Sequence, residues 1–220
     1  MIIPFPNRVE AGRQLAQKLM AYADCPDVLV LALPRGGVPV AFEVAKALNA
    51  PLDVCLVRKL GVPGQEELAM GAIGMGGVRV LNRDVLEWRN ISQEVLEQVT
   101  AQEEQELQRR NRLYRGDRPM PTIKDRCVIL VDDGIATGST MRAAIATLKP
   151  QQPEFIVVAT PVAPPSVCQA LKAEVNEVVV LYTPESFSAI GTWYRDFTQT
   201  SDAEVRRLLE HAAYSASGMF

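Results

Sequence analysis

The sequence has a single histidine, His211, and four widely separated cysteines with no CxxC pair. A histidine-based metal site or a Ser-His-Asp triad therefore has nothing from which it could be built. The cysteines have apolar neighbours in the chain and are predicted to be reduced core residues. They are Cys25, Cys55, Cys127 and Cys168.

The sequence also lacks a strong charge of either sign and any long apolar run. Its formal net charge is −3, and interspersed acids and bases indicate neither a broad nucleic-acid surface nor a polybasic membrane patch. No apolar run reaches the roughly 20 residues of a membrane-spanning helix, and the first residues lack the layout of a signal peptide. We therefore expect a cytoplasmic protein with neither nucleic acid nor membrane as a partner. Any anion site must be local.

Of the 220 residues, 48% are hydrophobic, which is enough for a substantial core. Strand-like runs with little polar alternation occur at 28–33, 52–57, 127–131, 155–162 and 177–182, with helical patterns at 38–48, 140–148 and 165–173 between them. Such runs are typical of parallel strands that are buried on both faces. The alternation predicts an α/β fold with an open, doubly wound, mainly parallel sheet, in which ligands bind at the carboxyl ends of the strands.

Three further helices are expected outside this pattern. Asn7 with Glu10 resembles a capping box that begins a helix reaching about Tyr22. Residues 92–115 are strongly helical but mostly polar, and Ser201 begins a last helix with Glu204 in the capping-box position.

These patterns predict one domain over residues 1–220. We expect its core at about 28–182, an inserted helical segment at about 84–120, and a C-terminal tail and helix at 183–220. The terminal segments are predicted to form a small hood.

The stretch VILVDDGIATGST, residues 128–140, joins an apolar strand to two acids and a loop of small residues. Backbone N–H groups in such a loop converge on an anion, and the N-terminus of the following helix favours negative charge. Asp132 and Asp133 would repel a phosphate unless they face sugar hydroxyls or a divalent cation. The motif therefore indicates a ribose 5-phosphate as the ligand.

Three other interpretations of this stretch are weaker. A P-loop needs lysine after its last glycine, and here Ser139 follows Gly138. A response-regulator receiver has its acidic pair near the N-terminus and no glycine-rich phosphate loop after it. An ordinary strand, turn and helix cap explains Ser139 or Thr140, but not two adjacent acids followed by a whole loop of small residues.

The same thirteen residues resemble the phosphoribosyl pyrophosphate signature of type I phosphoribosyltransferases at every position. The resemblance implies that Asp132 and Asp133 bind the ribose hydroxyls and contribute to catalysis. It implies that the loop binds the 5-phosphate through Ala136, Thr137, Gly138, Ser139 and Thr140. It also implies a Mg²⁺ cofactor held mainly through the pyrophosphate of the ligand, with Asp132 and Asp133 as candidate additional ligands.

Two further segments agree with this resemblance and imply a pyrophosphate subsite. LPRGG, residues 33–37, stands where the family has a glycine-containing pyrophosphate loop, often with a cis non-proline peptide. This assigns pyrophosphate binding to Arg35, Gly36 and Gly37. Arg58 and Lys59 follow the second predicted strand at the same carboxyl edge, and similar residues in the family approach pyrophosphate. The alternatives are an ordinary turn and a solvated basic strand end.

Residues 61–77 are rich in glycine and show no clear packing pattern. They are predicted to be a long irregular loop, which in the family closes over the reacting centre as a lid. The alternative is a surface loop without a role.

The acceptor site is the least defined part of the sequence. Trp193, Tyr194 and Phe197 could stack on a planar base, as could Phe5 together with Arg8. The aromatic residues could equally anchor the C-terminal tail to the core.

The resemblance extends over nearly the whole chain, to a bacterial group of phosphoribosyltransferases without an assigned acceptor. It implies Mg²⁺-dependent phosphoribosyl transfer, within nucleotide metabolism, to a nitrogenous, nucleobase-like acceptor with release of pyrophosphate. Relatives that act on 6-oxopurines have an acid at the position of Ala136, which cannot transfer a proton. The main alternative is a non-catalytic regulator that senses phosphoribosyl pyrophosphate. A homodimer is left open, with helix 92–115 as its candidate surface or as a solvated cover.

Overall fold

The central sheet follows directly from the five apolar runs. In the computed structural model, which describes residues 5–216, its strands are β1 (Val28–Ala32), β2 (Leu52–Val54), β6 (Cys127–Val131), β7 (Phe155–Val162) and β8 (Glu177–Tyr182). Neighbouring strands are parallel in the order β2-β1-β6-β7-β8. The predicted α/β fold with a mainly parallel sheet is confirmed.

Successive residues of the middle strands enter two separate cores, one on each face of the sheet. Val30 and Ile129 belong to the first core, whereas their neighbours Leu29 and Leu130 belong to the second. Because both faces are covered, the strands need no polar alternation. The first face is covered by α1 (Arg8–Lys18), α2 (Gly37–Leu48) and α7 (Asp202–Ala216), and the second by α5 (Ser139–Leu148) and α6 (Pro165–Lys172).

The predicted helix caps are present. The side chain of Asn7 accepts a hydrogen bond from Glu10 N at 2.9 Å, and Ser201 Oγ accepts one from Glu204 N at 3.1 Å. Helix α1 ends at Lys18, and a separate 3₁₀ turn at Met20–Tyr22 completes the stretch that was expected to be helical.

A second, three-stranded antiparallel sheet contains β3 (Val57–Val62), β4 (Gln65–Gly74) and β5 (Arg79–Leu81) in the order β3-β4-β5. The prediction of an irregular loop over 61–77 is therefore wrong, and its closure as a lid stays a prediction. The predicted strand 52–57 is also divided, because β2 ends at Val54 and β3 begins at Val57 in the other sheet.

The glycines of this small sheet permit close packing. A Cβ atom at Gly71 would lie 2.5 Å from Val80 O in β5, and one at Gly74 would lie 2.8 Å from Thr147 Cβ in α5. Met70, which precedes them in the chain, is fully buried. The sequence of 61–77 is typical of a loop, because its glycines are explained only by contacts with residues of other elements.

The inserted segment contains α3 (Arg83–Trp88) and α4 (Gln93–Arg115). Helix α4 confirms the prediction for 92–115, but it is not simply a solvated cover, since Leu96, Leu107 and Tyr114 are buried. Its last residue, Arg115, has a side chain that is 1% exposed and binds Asp53 Oδ1 at 2.8 Å. The C-terminal end of α4 is thus fixed to β2 by a buried ion pair.

The terminal segments form a small hood beside the carboxyl end of β6. Phe5 N donates to Trp193 O at 2.6 Å, and Arg195 N donates to Phe5 O at 2.8 Å. Between residues 5 and 216, no helix has both the length and the apolar character needed to span a membrane.

The four cysteines are free, as expected, but Cys25 is exposed. The prediction that it is a core residue is wrong because it lies in the turn before β1. Cys55 and Cys168 are buried, and Cys127 is half-buried.

Candidate functional site

The turn after β1 and the acidic pair after β6 are in direct contact, because these two strands are neighbours in the sheet. A Cβ atom at Gly36 would overlap with the Asp133 carboxylate, lying 2.7 Å from its Cγ. A Cβ atom at Gly37 would lie 2.8 Å from Val131 O and 3.0 Å from Asp132 Cα. Only glycine allows this approach. The Pro34–Arg35 peptide bond is cis, as the resemblance implied.

The two acids differ in their surroundings. Asp133 Oδ2 accepts a hydrogen bond from Arg8 Nε at 2.7 Å in an ion pair whose side chains are both 11% exposed. Asp132 Oδ1 accepts one from Asp133 N at 2.8 Å. Burial, together with the neighbouring Asp133 charge, raises the pKa of Asp132 well above its usual range. Arg8 therefore offsets one negative charge of the pair, which favours an anionic ligand beside it.

The raised pKa of Asp132 leads to a stability prediction. A carboxyl whose folded-state pKa lies above its unfolded value destabilises the fold at high pH and costs nothing below the unfolded value. Asp132→Asn removes this charge and keeps the Oδ1 acceptor. It should therefore raise the melting temperature at pH 8, by about 2–4 °C for each kcal/mol gained in the free energy of unfolding. The gain should shrink as the pH falls from the raised pKa of Asp132 toward the ordinary aspartate value of 3.8.

Thermal unfolding of both proteins across this pH range tests the prediction. The exposed Asp117 provides the control, and Asp117→Asn should show no such gain. A gain from Asp132→Asn that does not depend on pH would contradict the stated cause.

The loop after the acidic pair has the form of an anion cradle. Ala136 and Thr137 are exposed, and Gly138 has φ +78°, a left-handed conformation that favours glycine. Within residues 5–216, the N–H groups of Ala136, Thr137 and Gly138 donate no hydrogen bond. The hydroxyls of Thr137 and Ser139 lie 3.0 Å apart at the start of α5. Free N–H donors and hydroxyls at a helix N-terminus can together bind a phosphate.

A cationic cavity of about 250 Å³ adjoins this cradle. It is lined by Pro34 of the β1 turn, Arg58 and Lys59 of β3, Arg110 of α4, and Thr140 of α5. The expectation that Arg58 and Lys59 end a parallel strand is wrong, because the chain leaves the central sheet after Val54. Both residues nevertheless lie in the cavity between the turn and the cradle.

Arg35 is directed elsewhere. Its Nη1 lies 3.7 Å from Asp202 Oδ1 in an ion pair whose side chains are both at least one third exposed, and Tyr114 Oη donates to the same carboxylate oxygen at 2.6 Å. Arg35 is not among the residues that line the cavity. Its binding to pyrophosphate stays a prediction.

Four of the predicted acceptor residues form a continuous cluster of side chains. The ring of Phe5 lies 5.4 Å from that of Tyr194, which lies 5.1 Å from that of Phe197, and the Arg8 guanidinium lies 3.9 Å from the centre of the Phe197 ring. Tyr194 Oη also donates to Asp133 O at 2.5 Å. These contacts anchor the tail beside the acidic pair. An acceptor-binding role for Trp193, Tyr194 and Phe197 stays a prediction.

The oxygen donors of the site fit Mg²⁺ only in combination with a ligand. No group of three or more His, Cys, Asp or Glu residues between 5 and 216 is arranged to hold a metal ion. Mg²⁺ commonly binds through one or two carboxylates together with phosphate oxygens of a substrate. Asp132 and Asp133 could supply the carboxylates.

Two of these arrangements are not evident from the sequence. The sequence indicates Arg8 only as an acceptor candidate, although Arg8 pairs with Asp133, 125 residues away. It indicates no role for Arg110, because Arg110 is one of several arginines on a polar helix. No local signal separates it from its neighbours.

The sequence model of the family described as phosphoribosyl transferase domain matches residues 2–181. The chain therefore belongs to this family.

Similar proteins are known from Mycobacterium tuberculosis. "Putative phosphoribosyl transferase Rv0571c" of strain H37Rv is 49% identical over 208 residues, which are 94% of this chain and 47% of that protein. "Putative phosphoribosyl transferase MT0597" of strain CDC 1551 matches to the same extent. The chain thus spans about half the length of these curated relatives.

Two solved structures are also similar. The crystal structure of TT1426 from Thermus thermophilus superposes with a TM-score of 0.86 at 44% identity, covering 95% of this chain and 99% of that chain. The structure of the AQ2163 protein from Aquifex aeolicus has a TM-score of 0.52 at 12% identity, covering 92% and 85% respectively. The second likeness shows the fold alone.

Proposed function

We propose that this chain transfers the phosphoribosyl group of phosphoribosyl pyrophosphate to a nitrogenous, nucleobase-like acceptor and releases pyrophosphate. One observation carries the proposal. Where β1 and β6 end, the acidic pair lies against the β1 turn, and the cationic cavity is lined by Pro34 of this turn and by Thr140 at the end of the signature loop. This arrangement matches the ribose, the 5-phosphate and the pyrophosphate of one ligand.

In the proposed reaction the bond between C1 of the ribose and the pyrophosphate oxygen breaks, and pyrophosphate leaves with the electron pair. The acceptor nitrogen forms the new bond to C1 and loses its proton to solvent. Asp132 and Asp133 hold the ribose hydroxyls, and their charge stabilises the positive charge that develops on the ring. Arg58 and Lys59 stabilise the leaving pyrophosphate.

We propose Mg²⁺ as the cofactor, bound mainly by pyrophosphate oxygens with Asp132 and Asp133 as candidate protein ligands. When bound, it would neutralise part of the charge on the leaving group. The cytoplasmic location stays a prediction, and a homodimer stays open.

Release of pyrophosphate from phosphoribosyl pyrophosphate tests the function. The assay is run with and without Mg²⁺ against a panel of purine, pyrimidine and pyridine bases, and ligand binding is measured in the same samples. Mg²⁺-dependent release with one acceptor establishes the reaction and names the substrate. Tight binding without release across the panel favours the non-catalytic sensor. Absence of binding contradicts both functions.

A further inference from the structure

Helix α4 contributes a cation to the cavity that neither the signature nor the β1 turn accounts for. Leu107 and Arg110 both line the cavity, together with Arg58 and Lys59 of β3. Leu107 and Arg110 are three residues apart and therefore lie on the same face of α4. Glu103, one turn earlier on this side, binds Arg58 Nε through its Oε2 at 2.5 Å.

Arg110 is held in place from one side only. Its Nε donates to Glu106 Oε1 at 2.7 Å, and its side chain is 32% exposed. Its two terminal nitrogens donate no hydrogen bond to any group of residues 5–216, so they remain available to a ligand. Hydrogen bonds from Arg109 and Arg110 lower the pKa of Glu106 to about 2.

The neighbouring Arg109 provides an internal comparison. Its Nε binds the same carboxylate, at Glu106 Oε2 and also at 2.7 Å. Its side chain is 61% exposed, and it is not among the residues that line the cavity. The two arginines thus share a partner and differ in whether they reach the cavity.

We propose that Arg110 binds the pyrophosphate group of the ligand together with Arg58 and Lys59, and that Glu106 positions it. This inference rests on the proposed function. It makes the inserted helix part of the binding site. Three cations from two elements surround a leaving group that carries several negative charges, and guanidinium groups are suited to phosphate oxygens.

Titration calorimetry tests the proposal with three ligands: phosphoribosyl pyrophosphate, inorganic pyrophosphate and ribose 5-phosphate, each in the presence of Mg²⁺. Arg110→Gln should weaken binding of the first two by about 10- to 100-fold, the usual effect of losing a charge-assisted hydrogen bond. It should leave ribose 5-phosphate binding unchanged. Arg109→Gln should change none of the three, and Arg110→Lys should give an intermediate loss for the two pyrophosphate ligands.

Equal losses of affinity for ribose 5-phosphate and phosphoribosyl pyrophosphate would show that Arg110 has a structural role and does not bind the pyrophosphate group. The same losses in Arg109→Gln would also overturn the assignment. If Arg110→Gln fails to fold in a thermal unfolding control, the lysine variant decides, and unchanged pyrophosphate binding by that variant counts against the proposal. Failure of the unmodified protein to bind phosphoribosyl pyrophosphate overturns the proposed function, whereas loss confined to the Arg110 variants supports the inference alone.

Discussion

Replacing Asp133 with asparagine is expected to abolish turnover and to weaken every ribose-containing ligand by about 100-fold, as a charge-assisted contact to the ribose is lost. The substitution removes the charge that is proposed to face the ribose, and it leaves Arg8 without its ionic partner. Binding of inorganic pyrophosphate should change much less, because the cationic cavity is lined by other residues. Calorimetry with ribose 5-phosphate and pyrophosphate separates the two effects.

The fold should survive this change, because Asp133 lies beyond the end of β6 and contributes no strand pairing. The exposed residue Asp117 supplies a matched substitution, and Asp117→Asn should affect neither binding nor turnover. Unchanged affinity of Asp133→Asn for phosphoribosyl pyrophosphate would remove Asp133 from the ribose site.

Gly36→Ala is expected to lower turnover and the affinity for ribose-containing ligands by a similar amount, because it displaces the Asp133 carboxylate. Gly36 has φ −61° and ψ −31°, which alanine adopts readily, so the backbone is not the obstacle. The added methyl group would overlap with Asp133 and come within 3.2 Å of Arg8 Nε. The carboxylate must turn away, and the ion pair with Arg8 is lost with it.

A double-mutant cycle measures whether Gly36 acts through Asp133. If it does, Gly36→Ala combined with Asp133→Asn should bind ribose 5-phosphate about as weakly as either single variant, a clear departure from additivity. Additive losses would mean that Gly36 serves another purpose, such as close approach of the backbone to pyrophosphate. Turnover of the three variants provides a second readout.

The central sheet could be predicted because its information is local. β6, β7 and β8 begin and end at the predicted residues, and helix α4 differs from its predicted range by one residue. Each is specified by a run of one kind of residue bounded by a change of composition. The signature loop is local in the same sense.

The small sheet could not be predicted, because its glycines have a purpose only in three dimensions. Gly71 and Gly74 make room for Val80 and Thr147, which belong to other elements. Without those neighbours, a glycine-rich run indicates a loop.

In the site, too, contacts between residues that are far apart in the chain could not be predicted. Asp132, Asp133 and the residues of the cradle were found from one continuous stretch of sequence. The contacts of Asp133 with Arg8 and Tyr194 join residues 125 and 61 positions away. Arg109 and Arg110 are adjacent residues of equal charge, so the sequence could not distinguish them. In the structure both bind Glu106.

The convergence of the two terminal segments on Asp133 affects how a chain synthesised from its N-terminus acquires this site. β6 and the anion cradle are synthesised before Tyr194 and Thr198. Tyr194 donates to Asp133 O, and the carbonyl of Thr198 accepts from Arg8 Nη1. Contacts of such large sequence separation form late, because closing the intervening chain costs entropy first. The surroundings of Asp133 are therefore completed only after residue 198 has left the ribosome, and a nascent chain stopped before that point would contain the whole signature without its finished pocket.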